Sequence, residues 1–144
     1  MSGLLQVVPP GLLHAHSGLR WILLIALIAT VVNAGMKWKA KGDFKAMDKI
    51  LAIVTLASAH TIALIGFVVY FKSPMPAASN FFAFIHPLAM LLAVVLITVG
   101  YSRAKKADKS RAKFRKLMIW YGIGLALIIA SIPWPFIFPG SGWA

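Results

Sequence analysis

ILAIVTLASAHTIALIGFVVYF occupies residues 50–71 and contains no charged residue. At 1.5 Å per residue, a helix of this length runs about 33 Å. That is enough to cross the ~30 Å hydrocarbon core of a bilayer. His60 sits near its middle. An ionisable side chain at that depth is costly and calls for a partner, a ligand or water.

Working outward, three more apolar stretches have spanning length. The spans are read as residues 12–35, 46–71, 81–101 and 117–132, joined by short loops. Trp21, Tyr70, Trp120 and Tyr121 suit the interfacial belts. Asn33 and Gly35 close the first span, and Asp48 near the start of the second suits the positive end of its helix dipole. Pro87 fits the first turn of the third. Pro133 and Pro135 end the fourth, leaving residues 133–144 as an aromatic tail along the outer interface. The chain of 144 residues is 60% hydrophobic and only 12% charged, about half the charged share of soluble proteins. The expectation is a single membrane domain over residues 1–144: an all-α, integral-membrane, up-down four-helix bundle.

Charge sets the orientation. All but Arg20 and Lys72 of the 15 lysines and arginines fall in residues 36–49 and 101–116. Alternate loops are therefore basic, which is the positive-inside pattern. The basic loops are placed in the cytoplasm and both termini on the periplasmic side, in a multi-pass protein of a bacterial inner (cytoplasmic) membrane. The net charge of +12 then points to anionic lipid heads in the bilayer as partner, not to nucleic acid. Residues 1–11 lack the basic start and cleavage site of a secretory signal.

What is missing narrows the chemistry. The chain has no cysteine, which removes disulfides, c-type haem attachment and thiolate-held clusters. It has no glutamate, and its only carboxylates, Asp43, Asp48 and Asp108, fall in the hydrophilic segments. A carboxylate relay within the bilayer is thereby disfavoured, as is a transporter with paired broken helices. No Ser–His–Asp set, phosphate loop or HExxH occurs, so an enzyme acting alone is disfavoured.

The histidines remain: His14, His16, His60 and His86. Spans one and three both run inward, so His16 and His86 fall at similar depths in first turns near the outer face. Two imidazoles at matched depth on separate helices can hold a b-type haem from its two faces. Arg20, one turn below His16, shares its face and suits a haem propionate or a quinone carbonyl. His60 falls deeper, by roughly 15–18 Å of helical rise. It reads as a deeper ligand, a quinone contact, the lone ligand of a chlorophyll-type pigment, or a donor to a neighbouring helix. A copper site of His14, His16, Met75 and His86 is a further option. The plainer alternative is that His14 and His16 sit in interfacial water while Arg20 snorkels to head groups. Gly122 and Gly124, with Ala126 and Ala130, read as close helix packing.

HSGLR at residues 16–20, AH at 59–60 followed by GFVVYF, HP at 86–87 with a downstream ITVGYS, and a closing SIPWPF occur in this order. This set resembles a family of small four-span bacterial membrane proteins of Bacteroidetes type, often labelled cytochrome b-like. The resemblance implies that His16, Arg20, His60 and His86 are the functional positions. Ile85 stands where that family is expected to carry an acid. The expected function is a membrane electron-transfer subunit binding b-type haem or contacting quinol, within a larger respiratory or photosynthetic complex. The alternatives are a cofactor-free accessory subunit and a pigment-binding subunit.

Overall fold

Four helices follow from the four apolar stretches in a computed structural model that describes residues 9–72 and 80–134. They are α1, Pro10–Ala40; α2, Ala46–Lys72; α3, His86–Lys106; and α4, Ser110–Ser131, with a π-helical turn, Phe81–Ile85, leading into α3. All four are long and apolar enough to cross a membrane. Consecutive helices pack side by side and α4 closes back on α1, while the α2–α3 side is the sparsest.

The seam of the bundle shows why these helices associate. Leu23, Leu27, Thr30 and Ala34 form the buried stripe of α1, widened by Leu24 and Ala26, and Asp48, Ala52, Thr55 and Ala59 form that of α2. Ala93, Ile97, Gly100 and Ala104 are buried on α3, and Phe114, Leu117, Tyr121, Gly124, Ile128 and Ser131 on α4. Each run alternates steps of four and three, the spacing that keeps one stripe facing its neighbours in a left-handed bundle. Many seam residues are small or polar, while Ile25, Leu64 and Leu88 point outward, each about two-thirds exposed. A soluble bundle reverses that arrangement. Here the bilayer takes the large aliphatic side chains, and close packing and interhelical hydrogen bonds hold the inside.

Small residues permit the closest approaches. A Cβ added at Gly100 would lie 2.4 Å from the Trp120 Cβ, and one at Gly124 would lie 3.1 Å from Ile97 Cγ1. The packing read into Gly124 is thus visible, whereas Gly122 has only Val31 nearby, at 3.9 Å. In the middle of the seam the Thr30 and Thr55 hydroxyls lie 2.8 Å apart, one donating to the other. Tyr121 donates across the bundle to the Ala52 carbonyl at 3.0 Å.

The basic end differs from expectation. Asn33 and Gly35 do not close α1, which runs on to Ala40 and stops at Lys41 in the left-handed region. The Gly42 N–H bonds back to the Lys37 carbonyl at 2.9 Å, the long backward bond of a helix-ending motif. Asn33 faces inward instead. Its amide donates to Asp48 at 2.7 Å, Lys37 Nζ lies 2.8 Å from the same oxygen, and the Lys45 N–H reaches the other. Asp48 lies in the first turn of α2, as its place at the start of the second span suggests, but it is a buried junction between α1 and α2 and not a solvated residue. Lysines and arginines are good helix formers, so the helices continue well beyond the apolar runs.

Pro87 lies in the first turn of α3, as the sequence suggests. The π-helical turn runs directly into it, with the His86 N–H bonding to the Phe81 carbonyl, so a carbonyl still faces the missing N–H. An ordinary residue at 87 would offer its N–H to the Ala83 carbonyl four positions back; proline has none. The Tyr70 hydroxyl of α2 donates to that carbonyl instead, at 3.0 Å. Tyr70→Phe is expected to lower bundle stability by about 1 kcal/mol, as an interhelical hydrogen bond lost from a part-buried carbonyl. Denaturant titration of the protein in mixed micelles measures it, and an unchanged midpoint would show that the contact contributes nothing.

Candidate functional site

The end of the bundle opposite the lysine loops brings polar groups from all four helices together. α1 supplies His16 and Arg20. Their i,i+4 spacing puts both on the inward face, where each is half-buried. The His16 ring lies against α2 at Gly66, where an added Cβ would come 3.0 Å from Cε1. Any larger residue there would push the imidazole away. The Ile62 carbonyl of α2 adjoins the same ring. Its Nδ1 is buried with no hydrogen-bond partner among the described residues.

α3 and α4 supply the other side. The His86 Nδ1 lies 2.8 Å from the Ser131 carbonyl. Ser131 is the last residue of α4, and Ile132 leaves the helix with an extended backbone ahead of Pro133, as a residue before proline prefers. The terminal carbonyl thus has no partner within its own helix, and the imidazole takes it. A carbonyl only accepts, so Nδ1 carries the proton, and in the neutral ring Nε2 holds the lone pair. Ile129 shows the same logic: Pro133 has no N–H for its carbonyl, and the Trp134 indole donates there at 3.0 Å. The Phe81 ring flanks His86 at 5.9 Å. His16, Arg20 and His86 are close enough to feel one another electrostatically, and the Arg20 guanidinium also lies over Trp21 at 5.0 Å.

His60 stands apart. It is exposed on the sparse side between α2 and α3, and its Nε2 lies 2.9 Å from Thr98 Oγ1 of α3. The Thr98 hydroxyl already donates to the Val94 carbonyl at 2.7 Å. Thr98 therefore accepts and His60 Nε2 donates, leaving Nδ1 as the ring's only ligating nitrogen. Counted from Gly66, the residue under His16, His60 lies about 9 Å nearer the basic end. The offset is smaller than expected because helix extends beyond both His16 and His86 toward the histidine end.

Several readings separate here. His14 is exposed. With α1 helical from Pro10, two residues apart means nearly opposite faces, so His14 and His16 do not converge. Met75, the fourth member of the copper set, lies outside the described residues, as does the tail beyond Trp134. Among the described residues no three histidine or carboxylate side chains gather as a metal site. Gly66, the Ile62 and Ser131 carbonyls, and Thr98 were not anticipated as site residues. Backbone acceptors carry no side-chain signal, although Gly66 opens the GFVVYF run and Ser131 opens SIPWPF.

Comparison of the chain with protein-family models, curated proteins and solved structures finds no match.

Proposed function

We propose that this protein is an electron-transfer subunit of a bacterial inner membrane, in which His16 and His86 would hold a b-type haem at the periplasmic end. The observation that carries this reading is that those two imidazoles, on helices diagonal in the bundle, are both half-buried at the same end of it, with Arg20 one turn from His16. The donor set fits the group: two imidazoles, no thiolate, and a His86 ring whose Nδ1–H is committed to a carbonyl so that Nε2 is the ligating atom. Such a bond fixes a ligand's tautomer and raises its basicity. It does for His86 what a carboxylate at position 85 would do, with Ile85 in that place. Gly66 keeps room for the His16 ring beside α2. Arg20 offers a guanidinium to a propionate. The bound haem would supply one-electron transfer, and the protein would set its ligation, burial and orientation.

A second reading is quinol contact at the same place. It is favoured by an imidazole and a guanidinium half-buried at the same end of the bundle, groups whose chemistry matches a hydroxyl and a carbonyl of a quinone ring. In either reading the broad apolar surface meets lipid and the other subunits of a larger complex.

A visible spectrum of the purified protein, reduced minus oxidised, tests the haem reading. Sharp reduced bands are expected. His16→Ala and His86→Ala should each lower haem content by tenfold or more, as ligand-shell losses do, while His60→Ala retains it. Absence of haem from the wild type, or full haem in both variants, overturns the reading. A tightly held quinone extracted from haem-free protein would favour the second one.

A further inference from the structure

At the basic end a groove of about 460 Å³ runs between α1 and α4. Its walls are Trp38 of α1 and Trp120 of α4, and its cations are Lys109, Arg111, Arg115 and Lys116. None of the residues lining it is acidic. We infer that this groove seats the phosphate headgroup of an anionic phospholipid. It is independent of the histidine cluster, which lies at the other end of the bundle.

The arrangement follows from helical spacing. Ala112, Lys116 and Ile119 fall at steps of four and three, with Trp120 four beyond Lys116, and share one stripe of α4, while Lys109 caps its start. Arg111 and Arg115, four apart, form the adjacent ridge. The Arg111 guanidinium lies over the Trp38 ring at 5.2 Å, which holds the cation at the groove's edge and links α1 to α4. Beyond Lys116, the last of the cations, the lining turns to Ile119 and Trp120 about one turn further along α4, with Ile119 exposed. Charge at the helix end, followed by an aliphatic and an indole surface toward the bilayer, matches a lipid from its phosphate to the top of its acyl chains. A soluble phosphate would use only the charged part. A neighbouring groove between α3 and α4 shares Lys116 and adds Arg103 and Lys106, so Lys116 lies between two cationic recesses.

The test is native mass spectrometry of the full-length protein, released from micelles carrying equal amounts of phosphatidylglycerol and phosphatidylcholine. Preferential retention of phosphatidylglycerol is expected. The triple variant Arg111→Gln, Arg115→Gln, Lys116→Gln should reduce that preference about tenfold, given the attraction of each cation to an anionic headgroup. The variant Lys39→Gln, Lys45→Gln, Lys49→Gln removes equal charge from the same end and should keep the preference. Arg111→Lys with Arg115→Lys should also keep it, showing that a folded groove of the same charge suffices. Equal loss in both triple variants, or equal retention of the two lipids by the wild type, overturns the proposal. Displacement of the lipid by glycerol phosphate at matched concentration would also overturn it, by showing a soluble-phosphate site.

Discussion

Asp48→Ala is expected to destabilise the bundle by about 3 kcal/mol, toward the lower end for breaking a buried ion pair. The carboxylate is 4% exposed and serves three donors: the Lys37 ammonium, the Asn33 amide and the Lys45 backbone N–H. Its removal leaves an ammonium facing a nearly dry seam and an amide with no acceptor. Lys37 keeps a third of its side chain exposed and can turn toward water, which is why the loss stays at that end of the range. Asp48→Asn keeps one acceptor oxygen and should cost less. Far-ultraviolet circular dichroism during denaturant titration in mixed micelles gives both values. Equal midpoints for wild type and Asp48→Ala would show that the junction is dispensable.

Gly100→Ala should cost about 2–3 kcal/mol, the upper part of the range for overpacking a tight contact. The new methyl would overlap the Trp120 Cβ. That atom is fixed to the α4 backbone and cannot swing away, so α3 and α4 must part. Trp120 also carries the Arg103 guanidinium over its ring at 5.3 Å, so the shift would disturb the basic end as well. Gly122→Ala provides the contrast, since its nearest side-chain neighbour is Val31 at 3.9 Å. It should be neutral, or stabilising by up to about 1 kcal/mol through helix propensity. The same titration separates the two, and similar midpoints would contradict the packing account.

The helix count and the antiparallel order were legible because each apolar run had spanning length and the loops between them were short. The shared end of His16 and His86 was legible for the same reason: alternate helices run the same way, so their early residues meet. The end of the first helix was not legible at the basic side. Lys37 and Lys39 look like loop residues by hydropathy but are comfortable in a helix, whereas the run of the third helix into its basic segment could be read from the helix formers there. Asp48 was legible as a helix-start residue but not as a buried one, because a lone carboxylate between lysines reads as solvated until Asn33 and Lys37 are seen to converge on it. Nor could the acceptors of the site be read. Ser131 acts through a carbonyl exposed only because its helix stops, and Gly66 acts by the side chain it lacks.

The link between Tyr70 and Ala83 bears on the order in which the chain assembles. A backbone oxygen left bare by proline and covered by a neighbouring helix needs a donor from elsewhere. The entrance to the third helix is therefore incomplete as an isolated piece, and its missing donor arrives on the phenol of the helix made just before it. The second and third crossings should settle as a joined hairpin, and the setting of the His86 imidazole becomes a property of that hairpin.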